Sequence, residues 1–214
     1  MIVILFINQL LIVNKIMKYI LYLILSSLIF SNIIIPPHNI DGWKILKDEN
    51  PWIGYQDYEN FPWCRATEVF PYSIGEIEEY IGRFDTYSNT FSRMIDSDLV
   101  DTNIVYLRVD YPFFLSDRDY IVKYKRINNS KDVYYQWIAT IHPEVPEYEN
   151  VVRLINAGGE WALKYINDSS TEVSYSWNGE LRGDFPSFSL SSAWTKGGTE
   201  IIKELRYAIE NNSN

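Results

Sequence analysis

The chain has 214 residues, 47% hydrophobic and 22% charged, a globular composition for one domain with room for a core and a cavity. The formal net charge is −9, or −11 once the two lysines of residues 1–31 are set aside. This repels phosphate backbones and anionic membrane surfaces, argues against nucleic-acid binding and leaves only local, transient membrane contact. Cys64 is the single cysteine, which rules out an internal disulfide and a thiolate-rich zinc site.

Residues 1–35 are strongly apolar, interrupted by Asn14, Lys15 and Lys18. Taken whole, residues 1–31 would be an amino-terminal membrane segment. Taken from Met17, they are a secretory signal with Lys18 as the charged start, an apolar stretch to Phe30 and Ser31 before the cleavage point. The stretch between Lys18 and Ser31 is short for a bilayer span, so a cleaved signal is the preferred reading and an exported protein, periplasmic or secreted, is expected. Residues 32–38, including Ile35-Pro36-Pro37-His38, read as a linker, and 39–210 as the folded domain with 211–214 as a disordered tail.

Ile40, Trp43 and Leu46 predict a short helix capped by Asp41 and ended by Pro51. Strands follow at Trp52–Tyr58 and Trp63–Phe70, with a turn at Glu59-Asn60-Phe61-Pro62. Ser73 with Glu76 forms a capping-box pattern, and Ile74, Ile77, Ile81 and Phe84 make the apolar stripe behind it. A looser helical segment is expected over Thr90–Ile95.

Six β-branched and aromatic runs follow, at 103–110, 119–127, 132–141, 151–156, 160–166 and 171–178, most divided by turn-forming residues. Alternation turns Tyr120, Val122 and Tyr124 inward opposite Lys123 and Lys125. It likewise turns Trp161, Leu163 and Tyr165 inward, and Val173, Tyr175 and Trp177 inward opposite Glu172, Ser174 and Ser176. The chain closes on a helix of about Ser191–Glu210, in which Gly197-Gly198 permits close approach to a sheet. The order predicts an α+β fold: a curved antiparallel sheet wrapped around a carboxy-terminal helix, with a ligand-sized space between them.

Tyr111-Pro112-Phe113-Phe114-Leu115-Ser116-Asp117-Arg118-Asp119-Tyr120 resembles the signature of the START (StAR-related lipid transfer) family, an aromatic stretch leading into Ser-x-Arg-Asp. Asn150-Val151-Val152-Arg153, Gly159-Glu160-Trp161-Ala162-Leu163 and Thr171-Glu172-Val173-Ser174-Tyr175 are similar to the family's later strands. Gly183-Asp184-Phe185-Pro186 matches its turn before the last helix, and Gly42-Trp43 with Tyr55 its opening. The likeness runs in order over about residues 40–210. It implies a helix-grip fold of the wider Bet v 1-like group, an internal tunnel for one lipid or other apolar molecule, no intrinsic chemistry and no cofactor. Sterol-carrying relatives tend to have a basic residue six positions after the motif arginine; here that position is Tyr124, which departs from a sterol-type site.

Within such a tunnel Tyr106, Tyr124, Tyr135, Trp137, Tyr175 and Trp177 are candidate lining residues, with plain core packing the equal alternative. Ile201 and Leu205 of the final helix complete the apolar set. Arg108 and Arg153 sit in apolar strands; each either anchors a ligand head, pairs with a buried acid or faces solvent. Arg118-Asp119 reads first as a turn-holding pair, Cys64 as a small buried hydrophobe, and the proline-rich loop His142–Asn150 as a lid. His38 and His142 lack companions for a metal site, and no nucleophile elbow, phosphate loop or dinucleotide fingerprint occurs. Asn128-Asn129-Ser130 and Asn167-Asp168-Ser169 fit the glycosylation triplet. The expected partner is a lipid or other apolar small molecule and the expected state a monomer. The rival readings are an envelope interaction protein with a filled core and a cyclase- or aromatase-like enzyme of the same fold.

Overall fold

A computed structural model describes residues 33–111, 115–178 and 190–212. The apolar segment 1–31, the Pro112-Phe113-Phe114 stretch and the Gly183–Pro186 turn lie outside these residues.

Ten strands form one sheet among the described residues: β1 (Lys44–Lys47), β2 (Trp52–Tyr58), β3 (Phe61–Phe70), β4 (Met94–Asp101), β5 (Ile104–Val109), β6 (Asp117–Asn129), β7 (Asp132–Thr140), β8 (Val151–Arg153), β9 (Gly158–Asn167) and β10 (Ser170–Asn178). Their order is β1-β2-β3-β10-β9-β7-β6-β5-β4, with β8 paired to β6. All of these pairs are antiparallel except β6 with β8. Between β3 and β4 lie α1 (Ile74–Ile81), a 3₁₀ turn (Phe84–Thr86) and the single turn α2 (Tyr87–Thr90). The long helix α3 (Leu190–Asn212) packs on the inner face of the sheet through Trp194, Ile202, Leu205 and Ile209, all buried. This is the helix-grip arrangement that the sequence predicts.

Local chemistry accounts for most boundaries. Ser73 is extended (φ −66°, ψ 159°) and accepts from Glu76 N at 3.4 Å, while Ser73 N donates to the Glu76 carboxylate at 2.8 Å, which fixes the start of α1. The β2–β3 hairpin turns on Glu59 and Asn60, both at positive φ (48° and 66°), so Phe61 and Pro62 belong to β3 and not to the turn. At Gly198 an added Cβ would sit 3.2 Å from Ala66, Ile53 and Trp177, and its absence lets α3 lie close on the sheet.

Other expectations are corrected. The helix over Ile40–Leu46 is replaced by the edge strand β1: Gly42 takes φ +93°, which breaks any helix, and pairing with β2 satisfies the following backbone. The helical segment Thr90–Ile95 gives way to α2 and then to β4, whose Asp96, Asp98 and Asp101 disguise a strand because a sheet edge tolerates and favours charge. The strand expected over 151–156 ends at Arg153, where Leu154 N donates to Asp119 O at 2.8 Å. The last helix runs through Asn212, two residues into the expected tail.

The outer face of the sheet is not bare. Ser174, Ser176, Arg65 and Glu160 point outward by alternation and are all at least nine-tenths buried. Residues 33–43, read in part as a linker, lie against them. Arg65 donates to His38 O at 2.6 Å and to Ser176 Oγ at 2.8 Å, and its guanidinium stands 4.5 Å from the Trp43 ring. At the far end Ile33 approaches Gly158 closely, since an added Cβ there would lie 2.8 Å from Ile33 Cγ2.

Candidate ligand cavity

Between the sheet and α3 lies a cavity of about 280 Å³. Alternation builds its wall: Leu107 and Val109 of β5, Tyr120 of β6, Trp137 of β7, and Tyr175 and Trp177 of β10 all face inward. Phe84, Tyr87 and Phe91, from the turns between α1 and β4, close one side; Trp194, Gly197 and Ile201 of α3 close the other. The rings are ordered against one another. Tyr120 stacks on Trp137 (5.5 Å between centroids, 9° between planes), and Tyr175 on Trp177 (5.1 Å, 20°). Trp161, wholly buried, backs Tyr175 at 4.4 Å. Gly159 gives the Trp137 indole its place, because a Cβ there would come within 2.6 Å of Trp137 Cζ2 and 2.7 Å of Ser176 O.

Polar groups are few and mostly committed. Arg118, wholly buried, reaches the cavity wall from β6, donates to Ser116 O and stands 4.6 Å from the centroid of the Tyr111 ring. Asn178 is fixed at both ends of its amide, accepting from Gly158 N at 2.7 Å and donating to Asn156 O at 2.6 Å. Two links join α3 to the start of β4 beside the cavity. Arg93 pairs with Glu200 at 2.7 Å, and Glu204 accepts from Ser92 N at 3.1 Å and from its hydroxyl. Burial pushes the phenols of Tyr87, Tyr120 and Tyr175 well above their ordinary range, and that of Tyr111 upward against the pull of Arg118 and Arg93. These four phenols therefore stay protonated and act as hydrogen-bond donors rather than bases. Among the described residues no group of three or more His, Cys, Asp or Glu side chains is placed to hold a metal ion, and no helix is long and apolar enough to cross a membrane.

Of the residues that the sequence suggests for ligand contact, Trp137, Tyr175, Trp177 and Ile201 line the cavity. Tyr124 faces inward but stacks on Phe84 (4.5 Å, 7°), one ring behind the wall. Tyr135 donates to Glu78 at 2.8 Å, its phenol pushed up to about 12 by burial and the neighbouring carboxylate, and Leu205 is solid core. Tyr106, Arg108 and Arg153 stand elsewhere. Leu107 and Val109 face the cavity, so Tyr106 and Arg108 fall on the outer face, where Arg108 binds Asp117 at 2.6 Å. Arg153 grips Asp119 through two bonds of 2.7 and 2.8 Å and holds the loop 142–150 by Pro146 O at 2.9 Å, with Tyr148 against Tyr106 (5.8 Å). The Arg118-Asp119 pair is thus split by alternation: the arginine borders the cavity and the aspartate lies on the outer face. That placement was legible, because Arg118 shares the parity of Tyr120, Val122 and Tyr124. The clasp of Arg93 with Glu200 spans 107 residues and carries no sequence signal.

No protein-family model matches the chain, and no curated protein matches it in sequence. Solved structures do. A STAR-related lipid transfer protein fragment from Xanthomonas axonopodis aligns with 79% of this chain and 99% of its own at 17% identity, with a TM-score of 0.70. Human StAR-related lipid transfer protein 5 aligns with 94% of this chain and 98% of its own at 14% identity and a TM-score of 0.66. The Zhui aromatase/cyclase from Streptomyces sp. R1128 aligns with 71% and 95% at 11% identity and a TM-score of 0.51. At these identities the likeness is one of fold. The large antiparallel sheet and its carboxy-terminal helix agree with it, and the chain has the helix-grip fold of the START domains.

Proposed function

We propose that this protein binds one lipid or other apolar molecule in the cavity under α3 and carries or sequesters it without transforming it. The observation that supports this reading is the aromatic-lined space itself: a filled-core interaction protein has no need of about 280 Å³ walled by Trp137, Tyr175, Trp177 and Trp194. Binding would come from apolar area removed from water, roughly 25 cal/mol per Å² before ordering costs. The Arg93–Glu200 and Ser92–Glu204 links hold α3 beside this space. The apolar segment 1–31 supports export and a site of action outside the cytoplasm.

The cyclase-like neighbour raises an enzymatic reading on the same fold. Such an enzyme needs an acid and a base converging on substrate. Here the described ionisable groups of the wall are protonated phenols, arginines, a lysine and two glutamates already engaged with Arg93 and Ser92. That inventory favours binding over turnover.

Native mass spectrometry of the chain purified from its own host, followed by organic extraction, tests the proposal. A stoichiometric apolar molecule recovered unchanged is the expected result. An apo mass that no lipid or apolar compound shifts would sink it.

A further inference from the structure

The charges on the described cavity wall are spent within the chain. Glu200 accepts from Arg93 Nε at 2.7 Å and lies 3.8 Å from Lys196 Nζ, and Glu204 accepts from the backbone and hydroxyl of Ser92. Arg118 donates to Ser116 O and lies against the Tyr111 ring. Tyr87 is committed as well, donating to Ile81 O at 2.8 Å. Tyr120 differs. Its ring lines the space and is fixed by its stack on Trp137, yet its hydroxyl makes no hydrogen bond to any described residue. Burial keeps the proton on that hydroxyl, so it meets the space as a donor. A buried hydroxyl without a partner is costly, and a ligand oxygen opposite it removes the cost. An ionised head is disfavoured in the same space. Arg93 and Lys196 already face Glu200, and a charge taken out of water without a partner of its own costs far more than a hydrogen-bonded oxygen.

The space is also small. At about 280 Å³ it falls at the bottom of the range of roughly 300–1,000 Å³ that holds drug-sized molecules, which suits one chain or one compact ring system and neither a four-ring sterol nor a two-chain lipid. We propose that the ligand is a neutral molecule with one such apolar body, whose carbonyl or hydroxyl oxygen accepts a hydrogen bond from Tyr120. The inference rests on reading the cavity as an apolar-ligand site, and names both the class of ligand and the residue that orients it.

The test uses the delipidated full chain at pH 7.5 and three probes of one chain length: 2-octanone, n-octane and octanoic acid, the last ionised at this pH. Quenching of tryptophan emission reports occupancy, because Trp137, Trp177 and Trp194 line the space. The ketone is expected to bind about tenfold or more tightly than the acid. Tyr120→Phe keeps the ring on Trp137 and removes only the donor. It should weaken the ketone about fivefold or more and leave n-octane within twofold of its wild-type affinity. The carbonyl stretch of bound 2-octanone should lie lower in the wild-type complex than in hexane, and should return toward the hexane value in Y120F. If Y120F does not fold, the wild-type carbonyl stretch and the preference for ketone over acid decide. Acid binding as tightly as ketone, ketone affinity unchanged in Y120F, or binding of n-octane without the ketone overturns the inference and leaves the apolar-ligand site standing. Failure of all three, and of a wider apolar panel, overturns both.

Discussion

On its inner face the sheet presents Trp137, Tyr175 and Trp177 to a space they do not fill, whereas its outer face buries Arg65, Glu160, Ser174 and Ser176, with residues 33–43 lying against that face. The inner rings touch mainly one another and leave room; the outer groups are committed to particular partners by hydrogen bonds and charge. Asp119 and Arg153 extend this outer set and tie the loop 142–150 to β6. The contrast separates two jobs along single strands. Residues one position apart in β5, β6 and β10 serve ligand space on one side and fastening on the other, so substitutions on the two faces should have different consequences.

The largest expected effect is on the outer face. Asp119 and Arg153 are 1% and 7% exposed and joined by two short bonds. Asp119→Ala strands a buried guanidinium, and removing one partner of such a pair costs about 3–5 kcal/mol. Urea denaturation should show that loss, while the folded fraction binds ligand with wild-type affinity, because Asp119 faces away from the cavity. A matching loss of affinity would mean that the two faces are coupled through β6.

The second effect distinguishes two neighbours on α3. Leu205 is fully buried and absent from the cavity wall, and Ile201 is half-buried and part of it. Leu205→Ala should cost about 2–5 kcal/mol through the void it leaves, with little change in affinity per folded molecule. Ile201→Ala should cost less stability, since its side chain already borders empty space, and should alter ligand affinity instead. Denaturation and probe titration of the two variants check both halves.

The fold was readable because its signals are local and repeated: alternation in β6, β9 and β10, the Ser73–Glu76 box, and an amphipathic last helix. The wall residues Trp137, Tyr175, Trp177 and Ile201 follow from the same patterns. What escaped depends on contacts that alternation does not encode. Tyr106 and Arg108 look like any other aromatic and cation in an apolar strand until register shows that Leu107 and Val109 take the inner side. β1 and β4 were hidden because edge strands carry lysines or aspartates, and a sequence cannot show that a strand has one neighbour instead of two. The buried outer face was missed because serines and charged residues at outward positions read as solvated, and nothing local marks Ile33–Trp43 as their cover.

The smallest effect concerns the charge buried on that face. Cross-strand register places Ser176 between Arg65 and Glu160, so the two charges do not meet directly. Burial accordingly dominates both, lowering the Arg65 pKa and raising that of Glu160 from its ordinary 4.5. A carboxyl whose folded pKa is raised contributes stability that is fully present below its unfolded value and lost as pH rises through the folded value, so ionised Glu160 weakens the fold at neutral pH. Glu172, lowered chiefly by its contact with His38, has the opposite sign: its contribution is present above about 4.5 and lost as pH falls through its folded value. Glu160→Gln keeps an oxygen to accept from Gln136, which donates to Glu160 at 2.7 Å, and removes the buried charge. It should stabilise the chain by about 1 kcal/mol at pH 7 and by nothing near pH 4, read from urea midpoints at the two pH values. A loss of stability at pH 7 would reverse the argument, because it would mean that Arg65 and His38 together attract the carboxylate more than burial penalises it, making the outer face an electrostatic clamp on residues 33–43.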